Sequence, residues 1–201
     1  LAPPRDLTVP TSVDGALQLR ARGDCTKLDA AQLALPDGPF TVEGWFFPTL
    51  VDDHRGLIAK TEQSEFGMFC NDGRLEFSVH LDGKYAIAQT DTAVIAAKKW
   101  QHIAGVYDGK ELRGYVDGKL VVRKAAAGKR KTNVLPLYVG ADTNAQGAPM
   151  AFFTGLIDEV RISSTARYEG DTFVPAARHE PDARTALLLH CDVDEIGRAH
   201  V

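Results

Sequence analysis

Few residues in this sequence stand where they could do chemistry together. The most pointed is Asp158, in Gly155-Leu-Ile-Asp-Glu-Val-Arg-Ile162. An acid among apolar strand residues must be paired, hydrogen-bonded or bound to a metal, because burying a bare carboxylate is costly. Arg161 or a hairpin amide could satisfy Asp158 or its neighbour Glu159, and so could a cation. The cluster Asp52-Asp-His-Arg55 could take a metal or a polar ligand, and reads equally as a solvated loop. Asp192-Val-Asp-Glu195 has neither the length nor the glycine of a helix–loop–helix calcium motif and reads as a polar turn. His102, in Trp-Gln-His-Ile-Ala, reads as a satisfied core histidine. Trp45 and Trp100 have faces that could stack on sugar rings, but both sit in apolar strands and read as core. Lys129-Arg-Lys131 could hold an acidic glycan or a phosphate, and reads as a solvated basic loop.

No catalytic set is visible. A retaining glycosidase needs two carboxylates roughly 5–5.5 Å apart, and an inverting one needs a wider pair. Glu43 stands alone in its strand, and Glu76 has only Ser78 and His80 at matching alternation. There is no Gly-x-Ser-x-Gly elbow, Cys/His pair or phosphate loop. The chain is expected not to be an enzyme.

The elements that must position these residues are strands. Lys99 to Val122 holds Asp108-Gly109 and Asp117-Gly118, each flanked by β-formers. Asp and Gly tolerate the positive φ of tight hairpin turns, so three antiparallel strands are expected at Gln101–Tyr107, Glu111–Val116 and Lys119–Arg123. Phe40-Thr-Val-Glu-Gly-Trp-Phe-Phe47, closed by Pro48, is another clear strand. Alternation marks a strand at 16–22, and further strands are expected at 57–60, 66–70, 75–80, 85–90, 137–140, 152–163 and 186–191. Six Asp-Gly pairs punctuate the chain, no long stretch has helical period, and no repeat of solenoid or propeller length recurs. This spacing predicts an all-β antiparallel sandwich or barrel. The expected organisation is an extended lead-in over 1–15, one domain over 16–191 and a polar tail over 192–201.

Composition excludes several classes. At 201 residues, 44% hydrophobic and 25% charged, the chain can bury a sizeable core and is not a disordered segment. A net charge of −4 with mixed signs offers nothing in bulk to nucleic acid or an anionic membrane. No apolar run is long enough to span a bilayer. The chain starts at Leu1 and stops at Val201, which reads as a piece of a longer or processed protein. Cys25, Cys70 and Cys191 form no zinc-type cluster. They read as buried small hydrophobes, with Cys25–Cys191 the favoured pair should a disulfide form.

Five segments in order carry a resemblance: Phe40 to Trp45, Trp100 to Gly109, Tyr115 to Lys119, Leu137 to Ala141, and Phe153 to Ile162. Together they resemble laminin-G-like, concanavalin A-like jelly-roll domains. The resemblance implies a two-sheet antiparallel jelly-roll sandwich. It also implies a module that binds glycans or extracellular proteins, or that spaces other domains of the same parent chain, in a secreted, periplasmic or surface-attached bacterial protein. Hydrolases of this fold carry Glu-x-Asp-x-x-Glu on one strand, which is absent here. Related jelly rolls hold a structural calcium with the aspartate matching Asp158 and with an early loop, which here lies near Gly23-Asp24. Asp158 and Asp24 are therefore the calcium ligands implied, although Asp24 could equally cap a turn.

Overall fold

The computed structural model describes residues 15–20 and 23–191. The strands run β1 (Leu17–Leu19), β2 (Thr26–Leu28), β3 (Phe40–Pro48), β4 (His54–Lys60), β5 (Phe66–Asn71), β6 (Arg74–Leu81), β7 (Lys84–Gln89) and β8 (Gln101–Tyr107). They continue as β9 (Glu111–Val116), β10 (Lys119–Ala125), β11 (Leu137–Val139), β12 (Asp142–Thr143), β13 (Pro149–Met150), β14 (Gly155–Ser163) and β15 (Thr185–Leu189). A short 3-10 turn at Ala30–Gln32 follows β2. The expected tail, with Asp192, Asp194 and Glu195, lies outside the described residues, as does nearly all of the lead-in.

Two antiparallel sheets face each other. The first has the order β1-β14-β3-β8-β9-β10, with β15 also on β14; the second has the order β2-β11-β4-β5-β6-β7. The tight turns follow from the Asp-Gly pairs. Asp72-Gly73, Asp82-Gly83 and Asp117-Gly118 all take positive φ at both residues, as a type I′ hairpin requires.

Strand alternation sorts the side chains between core and exterior. On the first sheet, Phe40, Val42 and Phe46 face the core beside Ile103, Tyr107 and Leu112; on the second, Phe66, Met68, Cys70, Leu75, Phe77 and Val79 do so. A bulge at Gly56–Ile58 lets both Leu57 and Ile58 turn inward. The sheets interlock closely: the Phe77 ring fills the space above Gly105, where a Cβ would meet it at 2.5 Å.

The outer face of the first sheet is not open to solvent. Residues 164–184 cross it as a strap without regular strands. Tyr168 and Phe173 stack at 3.5 Å and cover Ala104, Val106 and Tyr115. The strap is tied by backbone carbonyls: Thr165 accepts from Thr41 Oγ1, Tyr168 from Arg113, Gly170 from Tyr115 and Ala176 from Trp45 Nε1.

Two readings are refined. Of the three cysteines only Cys70 is buried, Cys25 and Cys191 being half-buried, and they form no disulfide. Cys25 precedes β2 on the second sheet, whereas Cys191 follows β15 on the first. Lys129-Arg-Lys131 is not simply a solvated loop: Arg130 is buried, ion-pairs with Glu65 and lies 5.5 Å from the Phe40 ring centre. Glu65 also takes Lys60 at 2.9 Å, so two cations pin the loop to the core.

Candidate functional site

Among the described residues, the strap covers the outer face of the first sheet, and the outer face of the second sheet is covered in part by residues 61–65 and the β12–β13 hairpin, leaving a half-buried region around Glu76 and Gln89. Its residues follow from register. Phe69 pairs with Glu76, which pairs with Gln89, so the three form a cross-strand row on one face. Two residues along, Asn71 pairs with His54. On the other side of the row come Gly67, Ser78 and Ile87, then His80 and Tyr85. Glu76, Ser78 and His80 thus share a face, as their alternation implies.

Glu76 is the centre of this group. Its Oε2 accepts from Gln89 at 3.2 Å and from Asn71 at 3.4 Å, and its Oε1 lies 3.8 Å from His54 Nε2. The His54 ring lies against Phe69 with centroids 4.3 Å apart. Asp142 enters from the β12–β13 hairpin and accepts from Thr61 Oγ1 at 2.6 Å. That hairpin can press onto β4 only because position 56 is glycine: a Cβ there would lie 2.3 Å from the Ala141 backbone. The outcome is a half-buried patch of acids, amides and an imidazole over the buried Phe69 ring, rimmed by exposed Ile87. Carboxylates and amides spaced in this way accept from and donate to hydroxyl groups.

The charges in the patch act on one another. Glu76 first, against the opposing effect of burial, raises the His54 pKa above its usual 6.5, and Asp142 adds to this. Asp142 is raised, burial outweighing the Thr61 hydroxyl, the Thr143 amide and His54, which pull it down. A raised imidazole pKa means the ion pair stabilises the fold fully below pH 6.5, and that contribution is lost as pH rises through the folded-state value. NMR titration of the His54 ring should therefore give a midpoint above 6.5, and Glu76→Gln should return it toward 6.5. A midpoint at or below 6.5 in the wild type would show that the two side chains do not interact.

The residues singled out from the sequence fall in different places. His54 of the Asp52–Arg55 cluster begins β4 and joins Glu76, while Arg55 turns back to Asp52 and to the Phe152 carbonyl. Trp45 and Trp100 pack with Phe47 and Leu156 and are 8% exposed, so they are packed rather than offered to a ligand. His102 is fully buried, as expected; its Nε2 lies 3.2 Å from Glu43 Oε2 without hydrogen-bond alignment, and its Nδ1 has no aligned partner among the described residues.

Asp158 and Glu159 lie at a bulge in β14, where pairing passes from β1 to β15. Glu159 takes φ 51° there. Asp158 Oδ1 accepts from the Glu159 amide at 2.8 Å. Glu159 receives the His179 amide at 2.7 Å and lies 3.0 Å from His190 Nδ1. Arg161 goes elsewhere, to Glu43 at 2.8 Å. The structure does not bring Asp158 and Asp24 together. Asp158 lies just past the Ile157–Leu17 pair, whereas Asp24 holds the Arg20 amide beyond the opposite end of β1. Four strand steps separate them, about 13 Å at roughly 3.3 Å per residue, so one ion does not take both carboxylates.

A second polar cluster, missed in the sequence, lies under the strap. Glu43 accepts from Tyr168 Oη at 2.6 Å and from Arg161 Nε at 2.9 Å. Burial would raise the Glu43 pKa, but His102 foremost, with His179 and Arg161, holds it at about 2. Burial, helped by Arg161 and His102 against Glu43, lowers His179 to about 3, which keeps its ring neutral. Burial and the Glu43 charge push Tyr168 up. The signal available in the sequence was Glu43 itself, an acid in the middle of an apolar strand. Its partners come from up to 136 residues away.

The family described as the concanavalin A-like lectin/glucanases superfamily matches residues 22–171. Among solved structures, domains LG4-5 of the mouse laminin alpha1 chain align at 19% identity and a TM-score of 0.60, covering 84% of this chain and 47% of that one. This chain thus spans about half of the laminin fragment. The CBM40 of a Ruminococcus gnavus sialidase, bound to alpha2,3 sialyllactose, aligns at 16% identity and a TM-score of 0.60, covering 77% of this chain and 92% of that one. Domain 4 of AbnA, an extracellular arabinanase of Geobacillus stearothermophilus, in complex with arabinotriose, aligns at 18% identity and a TM-score of 0.53, covering 66% of this chain and 64% of that one. No curated protein sequence matches the chain. At these identities the likeness concerns the fold.

Proposed function

Because the chain belongs to the concanavalin A-like lectin/glucanases superfamily, we propose that it is a non-catalytic module that holds a hydroxyl-rich, uncharged glycan on the outer face of its second sheet. The observation that carries this reading is the Glu76–Gln89 cross-strand pair, with His54, Asn71 and Asp142 around it, on the half-buried part of the second sheet's outer face. Hydroxyls are matched by acceptors and donors held in place by their own hydrogen bonds, which lowers the ordering cost of binding. The similarity to a CBM40 and to an arabinotriose-binding domain supports a sugar as the ligand class. The two acids argue against a sialylated ligand, since like charges repel in a half-buried site. In the same reading the module belongs to a larger secreted or surface-attached protein.

The test is calorimetric titration with neutral oligosaccharides, arabinotriose included, and with sialyllactose as the anionic comparison. At least one neutral sugar should bind and sialyllactose should bind more weakly. Glu76→Ala should weaken the neutral sugar by roughly 10- to 100-fold, the range for losing a charged hydrogen-bond acceptor.

The calcium implied by the resemblance belongs to Asp158 by itself in this reading, as a buried carboxylate of the kind a hard cation takes. Adding calcium to metal-stripped protein should raise the melting temperature. Asp158→Asn should erase that rise and Asp24→Asn should leave it. No rise in the wild type would end the calcium assignment without touching the glycan site.

A further inference from the structure

Glu43, His102 and His179 are fully buried under the strap, and their donor atoms all lie within 4.8 Å of one another. Glu43 Oε2 is 3.2 Å from His102 Nε2 and 3.8 Å from His179 Nε2. Among the described residues none of the four imidazole nitrogens makes an aligned hydrogen bond. Buried polar groups are almost always partnered, so two buried rings whose one close polar contact is a carboxylate at 3.2 Å without hydrogen-bond alignment call for an explanation. The cluster also has a rigid frame. Glu43 and His102 stand on the paired strands β3 and β8, and His179 is fixed by its amide on Glu159.

We propose that this cluster is a structural site for a divalent transition-metal ion, with zinc the best fit, bound by Glu43 Oε2, His102 Nε2 and His179 Nε2. Two imidazoles and a carboxylate suit zinc, whereas calcium takes oxygen donors. Ligands at about 2.0–2.1 Å around a tetrahedral zinc lie about 3.4 Å apart, between the two separations found here. Tyr168 and Arg161 hold the carboxylate from outside, as partners of metal-bound carboxylates do. Arg161 also shares the Glu43 charge and repels a cation, so the site binds more weakly than the same three ligands would without it. Trp45 and Phe173, 5.4 Å and 5.7 Å from the His102 ring, exclude bulk water. The ion would tie the strap to the first sheet, and it would enter as the strap closes during folding.

The experiment uses the whole chain, unfolded, stripped of metal and refolded with zinc, with cobalt(II) or with chelator, then cleared of loose ions by gel filtration. The wild type should retain about one equivalent of zinc and melt higher than the chelator sample. Cobalt, held by the three side chains with one trapped water in the fourth position, should give the strong visible bands of four-coordinate geometry. His179→Ala should lower retention by roughly tenfold or more and remove those bands. Refolded wild type that keeps no zinc overturns the proposal, and so does His179→Ala that keeps as much as the wild type. Should His179→Ala not refold, the wild-type cobalt spectrum decides: four-coordinate bands support the site, and six-coordinate or absent bands overturn it.

Discussion

Glu43→Ala is expected to cost about 3–5 kcal/mol of folding stability, because it strands the buried Arg161 guanidinium and the Tyr168 hydroxyl without their acceptor. For a chain of this size that corresponds to a melting temperature lower by roughly 6–20 °C. The loss should centre on the strap, which Glu43 grips through Tyr168. Trypsin should then cut faster at Arg178, which is already half-exposed. The double variant Glu43→Ala with Arg161→Met should recover much of the loss, since no unpaired charge is left in the interior. Urea unfolding of the four proteins of this cycle measures the coupling. Simple additivity would show that the pair contributes nothing of its own.

The second large effect is expected at Gly56→Ala. The added methyl would lie 2.3 Å from the Ala141 carbonyl carbon and 2.6 Å from the Asp142 amide, both backbone atoms that cannot swing aside. The β12–β13 hairpin must move away from β4, at about 1–3 kcal/mol, the usual range for overpacking. The Gly56 amide, which donates to the Ala151 carbonyl at 2.8 Å, would see that bond stretch as well. Asp142 rides on this hairpin, so binding of the neutral sugar should weaken together with stability. Stability unchanged within about 0.5 kcal/mol would mean that the hairpin is not pressed against β4 as described.

The fold was largely legible in the residues. Asp117-Gly118 and Asp82-Gly83 announced their hairpins because few other residue pairs take two positive φ values in succession. Phe40–Pro48 announced a strand by its aromatic and β-branched residues, and the structure turns Phe40, Val42 and Phe46 into the core. The strap was legible only as irregular chain. Its role depends on Tyr168, Phe173 and Ala176 meeting strands that lie 53 to 131 residues earlier.

The candidate site was half legible for the same reason. The Glu76, Ser78, His80 alternation could be read within one strand. That Phe69 and Gln89 complete a row with Glu76 depends on the β5–β6 and β6–β7 registers. Asp142 joins through a bare glycine on another strand, a contact no local pattern records. His102 was correctly read as buried. That it stands against Glu43 and His179 without an aligned hydrogen bond is a tertiary fact.

The most direct test of the central claim is a titration of wild type and Glu76→Ala with the same neutral oligosaccharide, with equal folding of the two proteins checked by circular dichroism. The expected result is saturable binding by the wild type and affinity lower by roughly 10- to 100-fold in the variant. Equal affinities in the two proteins, or no binding of any neutral oligosaccharide by the folded wild type, would contradict a glycan site on this face.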